Sequence, residues 1–188
     1  MYQNIGKSVL DFWLSTALIV LFFPAMLLLL FTGSLLTGFR PFFFQKRSGR
    51  FGKPFHILKF RTIDPQGNSF GLYSKFLRVS SLDELPQLFN IIMGQMSLVG
   101  PRPLYLEYNE HYNERHRKRL DVKPGLTGLA QVSGRNNLRW EERFDLDVDY
   151  VQNISLRLDL TILMKTLVKV FDVSGADGAS VTPFRGYD

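Results

Sequence analysis

The sequence predicts a mixed α/β domain, mainly helical, that is attached to a membrane. Three features carry that expectation: an uncharged apolar run from Phe12 to Thr37, a basic two-strand pattern from Phe42 to Thr62, and later stretches with helical periodicity. At 188 residues the chain is long enough for one domain with its own core beside a membrane element.

As a straight helix the apolar run would extend about 39 Å, enough to cross a bilayer. Two features oppose a simple span. Pro24 falls near the middle, where it removes a backbone hydrogen bond and bends a helix. Positive charge flanks both ends, Lys7 before and Arg40, Lys46, Arg47 and Arg50 after, so charge bias does not put the ends on opposite faces. The run is too long for a signal-peptide core, and no small-residue cleavage pattern follows it closely.

Composition narrows the partners. A formal net charge of +6 and a pI of about 9.7 call for something anionic: lipid headgroups, phosphates or nucleic acid. The absence of cysteine excludes disulfides and thiolate chemistry and agrees with a cytoplasm-facing protein. His56, His111 and His116 lack zinc-type spacing.

Phe42 to Gln45 and Phe55 to Thr62 read as strands around a basic turn, Lys46 to Pro54. On the second strand Lys59 and Arg61 share a face, which suits either a bound phosphate or plain solvation. Residues 64–73 read as a loop, after which Lys75 to Arg78 lead into Ser81-Leu82-Asp83-Glu84-Leu85-Pro86-Gln87. With Asp83 as N-cap, Pro86 falls at N3, where its missing N–H costs no bond. Leu85, Leu88, Phe89 and Ile92 then repeat at helical spacing up to a stop at Gly94. Ser81 and Glu84 also fit a capping box, so the acidic pair has a purely structural reading too. Arg78 stands close enough before Asp83 to bias its charge or meet a phosphate.

Leu104 to Leu120 reads as one helix, acidic early and basic late, in the order that complements a helix dipole. The glycine-punctuated stretch from Lys123 to Asn136 reads as turns whose backbone can approach a ligand. Trp140, Phe144, Val148 and Val151 mark one face of a further helix, with Glu141, Glu142, Asp145 and Asp149 opposite. A last helix, Leu158 to Phe171, carries Lys165 and Lys169 beside Leu158, Ile162, Leu163, Leu167 and Val170, an apolar side that suits either the core, expected for most of it, or the headgroup region with the lysines snorkelling. The tail from Ser174 is glycine-rich, with Phe184-Arg185-Gly186 as a segment that can return to the site.

Five ordered blocks give this pattern a sharper meaning: Lys59-Phe60-Arg61-Thr62, the Ser81 to Gln87 segment, Gly100-Pro101-Arg102-Pro103, Lys123-Pro124-Gly125-Leu126-Thr127-Gly128, and Gln131-Val132-Ser133-Gly134-Arg135-Asn136. Together they resemble the signature of the bacterial sugar transferases, the monotopic phosphoglycosyl transferases that move a phosphosugar from a nucleotide diphosphosugar to polyprenol phosphate. The resemblance implies a re-entrant helix-break-helix anchor over residues 1–40, broken at Pro24, and a catalytic domain over 41–188. That domain would face the cytoplasm at the bacterial inner membrane, with a UDP-sugar as donor, undecaprenol phosphate as acceptor and no nucleic acid. The reaction would release UMP and open glycoconjugate or polysaccharide assembly.

The residues fit that chemistry. An ionised aspartate attacks phosphorus without a separate base, which makes Asp83 the expected nucleophile. Neighbouring positions on a helix diverge, so Glu84 is better placed to bind Mg²⁺ or orient the pyrophosphate, and the resemblance assigns the pair as nucleophile and metal-associated partner. Arg102, between Pro101 and Pro103, suits bidentate phosphate recognition, with Lys59, Arg61, Arg78 and Arg135 as further phosphate ligands. One position departs from the family pattern. Many members carry Asp where this chain has Gln95, so no metal role transfers there. Two other readings compete: a basic membrane-surface module that binds anions without chemistry, which leaves the acidic pair unexplained, and a membrane phosphatase using the same phospho-aspartate with water as acceptor.

Overall fold

The apolar run folds into one helix, α1 (Lys7–Leu36), entered through a π-helical turn at Tyr2–Gly6. The computed structural model describes residues 2–134 and 138–171 together with Phe184, Gly186 and Tyr187. Helical structure runs uninterrupted through Pro24, so the expected helix-break-helix does not show as a gap in the helix. A mid-helix proline loses one backbone bond, and the packing of Phe22 and Met26, on either side of it, against Phe60 and Leu77 offsets that loss.

One face of α1 lies on the rest of the chain along nearly its whole length. Asp11 Oδ1 accepts from the Leu98 N–H at 3.0 Å, and Leu14, Leu18 and Ile19 join the main core. Farther along, Met26 and Leu29 are buried against Phe60 and Leu77, and the Tyr73 hydroxyl donates to the Leu29 carbonyl. The opposite face is bare hydrocarbon, with Trp13, Val20, Leu21, Leu28 and Phe31 exposed. Among the described residues α1 is the one helix long and apolar enough to cross a membrane. Lys7, read above as a flanking charge, is buried and paired with Asp159 at 2.6 Å, so it adds no free charge at that end.

Two small sheets carry the strand content. β1 (Phe42–Ser48) and β2 (Pro54–Phe60) form an antiparallel hairpin that pairs Phe42 with Phe60 and Phe43 with Lys59. β3 (Ser97–Val99) and β4 (Gly125–Thr127) pair in parallel, a pairing that sequence periodicity could not reveal in segments so short. Between the sheets come α2 (Leu72–Val79) and α3 (Gln87–Ile92). After β3, the expected single helix over 104–120 is instead a 3₁₀ turn (Leu106–Glu110), α4 (Glu114–Arg117) and a second 3₁₀ turn (Lys118–Leu120). Asn113 divides it, because its side chain accepts from the His116 N–H and starts a new helix there.

α5 (Leu129–Ser133), α6 (Trp140–Gln152) and α7 (Leu156–Phe171) complete the chain. The main core gathers Phe55 and Ile57 of β2, Leu88 and Ile91 of α3, Leu98 and Val99 of β3, Tyr150 of α6 and Ile162 of α7. α7 meets its expected orientation in part. Leu158, Ile162 and Leu163 face the core, but Leu156, Leu160, Met164, Leu167 and Val168 stand exposed beside Arg157 and Lys165. Phe184 and Tyr187 of the tail do return, but to an aromatic cluster with Tyr108, Tyr112, Trp140 and Phe144.

Candidate active site

The chain reverses after α2 at Ser81, whose φ of 57° is left-handed. Leu82–Glu84 then form a single 3₁₀ turn, and α3 begins only at Gln87 with Pro86 as its N-cap. The expectation of Asp83 as helix N-cap is therefore corrected, and Ser81 makes no side-chain cap. The reason is packing: Leu82 and Leu85 both insert against Phe60 and Leu77, which winds the acidic pair into a tighter turn than an α-helix start. Gly94, with φ 74°, ends α3 as expected.

This turn lays the two carboxylates over the β2 face. Lys59 Nζ meets Glu84 Oε1 at 2.5 Å and stands 3.7 Å from Asp83 Oδ2, while Arg102 Nη2 reaches the same Glu84 oxygen at 3.1 Å. Glu84 is thus held by two cations. Asp83 makes no hydrogen bond through its carboxylate to any described residue. Burial raises the Asp83 pKa to about 6; Glu84 pushes in the same direction, while Lys59, Arg102 and Arg78 oppose it. Burial would raise Glu84 as well, but Arg102 and Lys59 outweigh it and hold the group at about 2. Neighbouring acids are thereby separated into a permanently ionised one and one that titrates near neutrality.

Arg102 is presented by two of the sequence blocks brought together. The Gly100 N–H donates to the Thr127 carbonyl and the Gly125 N–H to that of Pro101, each at 2.9 Å. The contact is so close that a Cβ at Gly100 would lie 2.6 Å from the Lys123 carbonyl oxygen, which is why glycine is required. Behind the loop, buried Arg119 donates to the Arg102 carbonyl oxygen at 2.8 Å, to Asp147 Oδ2 at 2.8 and 3.0 Å, and to the Tyr112 hydroxyl at 2.9 Å. Arg119 and Asp147 are functional supports that the sequence reading missed. Asp147 carried a signal: it stands three residues after Phe144 and next to Val148, on the apolar face of α6.

Of the other expected phosphate ligands, Arg78 lies near enough to lower the Asp83 pKa and donates to Thr62 Oγ1 at 3.1 Å. Arg61 turns away, donating to the carbonyls of Arg40 and Phe42 and tying the end of α1 to the hairpin. Arg135 lies outside the described residues. Gln95 accepts from Asn90 Nδ2, which also donates to the His56 carbonyl, so this position braces α3 against β2.

No group of three or more metal-type side chains occurs among the described residues. Glu84 and Asp83 nevertheless offer adjacent hard oxygen donors, and Mg²⁺ takes only one or two carboxylates when substrate phosphates and water complete its shell, so the donor set fits.

A carboxylate pair clamped by lysine and arginine, in a chain whose described residues include one helix long and apolar enough to cross a membrane, has the groups that phosphate chemistry calls for. The chain belongs to the bacterial sugar transferase family, whose model matches residues 2–173. It is 43% identical over 173 residues to the uncharacterized sugar transferase EpsL of Bacillus subtilis, covering 85% of this chain and 86% of that one. It is 36% identical over 193 residues to the UDP-glucose:undecaprenyl-phosphate glucose-1-phosphate transferase of Caulobacter vibrioides, covering 92% of this chain and 72% of the relative. The protein of the same name from Xanthomonas campestris is also 36% identical, over 190 residues and 90% of this chain, but the match covers only 39% of that longer protein.

Proposed function

We propose that this chain transfers a phosphosugar from a UDP-sugar to polyprenol phosphate, releasing UMP, through a covalent phosphosugar on Asp83. The observation that carries the reading is the division of labour in the acidic pair: Glu84 is engaged closely by Lys59 and Arg102, while Asp83 beside them has only the longer Lys59 contact at 3.7 Å. The names of the relatives agree with donor and acceptor of this kind.

In the first step an Asp83 oxygen attacks the phosphorus bonded to the sugar, and the bond from that phosphorus to the UMP oxygen breaks. UMP leaves with the electron pair. In the second step a phosphate oxygen of the lipid attacks the same phosphorus, the acyl phosphate bond breaks, and Asp83 is restored as carboxylate. Lys59 and Arg102 hold Glu84 and offset charge on the phosphoryl oxygens as the group passes. Glu84 would hold Mg²⁺, which when bound supplies Lewis-acid neutralisation of the departing phosphate.

For the membrane geometry, α1 supports a further part of this reading. At about 1.5 Å per residue its 30 residues span more than a hydrocarbon core, yet Asp11 near one end and Leu29 near the other both contact the polar domain. A helix standing upright in the bilayer would carry that domain into hydrocarbon. We therefore read α1 as entering and leaving one leaflet, with the exposed rows of α1 and α7 in lipid, and place the chain at the cytoplasmic face of the inner membrane as a first membrane step of glycoconjugate assembly.

Incubating the full chain in membrane mimetic with Mg²⁺ and a panel of UDP-sugars, without lipid acceptor, tests the mechanism. For the correct sugar, up to one UMP per site and a phosphosugar mass on the Asp83 peptide are expected, and Asp83→Asn should lose both. A fully active Asp83→Asn variant, or sugar phosphate released to water with no lipid product, would overturn the reading.

A further inference from the structure

A second arginine beside the site has the features of a ligand group and no role so far. Arg47 lies on β1, on the same hairpin face as Lys59, since Arg47 pairs with Phe55 and Phe43 with Lys59. Its guanidinium is centred 3.6 Å from the ring centroid of Tyr105, three residues beyond Arg102. Gln45 Oε1 accepts from its Nε and Nη2 at 3.2 and 2.6 Å, and Gln45 Nε2 reaches the Tyr105 hydroxyl at 3.4 Å. Ring and amide thus fix the plane of the fork while using two of its five N–H donors. No carboxylate of the described residues forms a salt bridge with it.

A half-buried cation without a counter-ion is costly, and here another cation stands near it. Burial lowers the hold of Arg47 on its proton; Tyr105 opposes that effect and the charge of Arg102 adds to it. Within the site the carboxylates of Asp83 and Glu84 are matched by Lys59 and Arg102, so the charges of Arg78 and Arg47 are both surplus. A pyrophosphate, with a charge on each phosphoryl group, needs such a surplus.

We propose that Arg47, oriented by Gln45 and Tyr105, is a second phosphate-binding arginine of this site and takes phosphate oxygens alongside Arg102. The inference rests on the phosphosugar-transfer reading for the identity of the ligand. The phosphate is that of the nucleotide donor or of the lipid acceptor, and binding measurements separate the two.

The test is calorimetry on the full chain in nanodiscs with UDP, UMP and farnesyl phosphate, comparing wild type with Arg47→Gln, Arg47→Lys and the exposed-surface control Lys53→Gln. Loss of a charge-assisted bidentate contact should weaken the affected ligand by about tenfold or more in Arg47→Gln, with partial recovery in Arg47→Lys and none of the effect in Lys53→Gln. Weakening of UDP and UMP alone assigns the phosphate to the donor; weakening of farnesyl phosphate alone assigns it to the acceptor. Should Arg47→Gln fail to fold, Arg47→Lys still decides, because it keeps the charge but not the fork and should bind several-fold less tightly than wild type. Wild-type affinity in both Arg47 variants, or a wild-type chain that binds none of the three probes, overturns the proposal. Normal phosphate binding by a wild-type chain that transfers no phosphosugar would sink the transfer reading while leaving Arg47 in place.

Discussion

Arg119 Nη2 donates to the carbonyl oxygen of Arg102 at 2.8 Å, so a fully enclosed arginine on one side of the domain fixes the backbone of the exposed one that meets Glu84 on the other. The same guanidinium also donates to Asp147 from Nε and Nη2 and to Tyr112 from Nη1, and these bonds fix its orientation.

Removing one partner of this buried pair strands a charge, so Asp147→Ala should cost about 3–5 kcal/mol of stability, read as a lower midpoint in denaturant. Arg119→Lys is the finer probe. It keeps the charge but cannot reach Arg102, Asp147 and Tyr112 at once, and UMP release should fall even where the melting temperature is largely kept. Equal donor KM and rate in Arg119→Lys and wild type would show that the Arg102 loop holds itself.

The split between the two acids predicts a pH profile. The folded pKa of Asp83 is raised to about 6, so the ionised form that the proposed attack needs is present above that pH and lost as pH falls through it. Glu84, at about 2, stays ionised throughout the same range. The rate of UMP release without acceptor should therefore be level above about pH 7 and drop about tenfold per unit well below 6. A profile flat down to about pH 4.5 would remove Asp83 as the titrating nucleophile.

Topology is open to direct labelling because the chain has no cysteine. Gln3→Cys and Arg40→Cys place thiols at exposed positions beyond the two ends of α1. With α1 in one leaflet both should react with an impermeant maleimide from the same side of the membrane. Labelling from opposite sides would establish a span.

The aromatic cluster predicts that the tail stabilises the domain. Phe184 is 5% exposed and meets Tyr108, Tyr112 and Phe144. Phe184→Ala should cost about 3–5 kcal/mol, as deletion of a core phenyl ring does, and thermal melting measures it. An unchanged midpoint would mean that the tail adds nothing to the fold.

Much of this protein was determined by the sequence alone. The apolar run, the basic hairpin, the α6 helix and the ordered motif blocks are local patterns, and local patterns survive without knowledge of neighbours. Arg102 between two prolines and the acidic pair before Pro86 were legible for the same reason. Only the tertiary structure decided how these pieces act. Leu82 and Leu85 gain more from insertion beside Phe60 than the chain gains from a longer α3, so Asp83 sits in a 3₁₀ turn. Arg61, expected on one strand face with Lys59, lies just past the end of β2 and donates to the carbonyls of Arg40 and Phe42. Lys7 and Asp159, 152 positions apart, become a buried pair, and Arg119 leaves a basic surface pattern to hold Arg102. Such choices depend on the desolvation and pairing of charges distant in sequence, which no periodicity records.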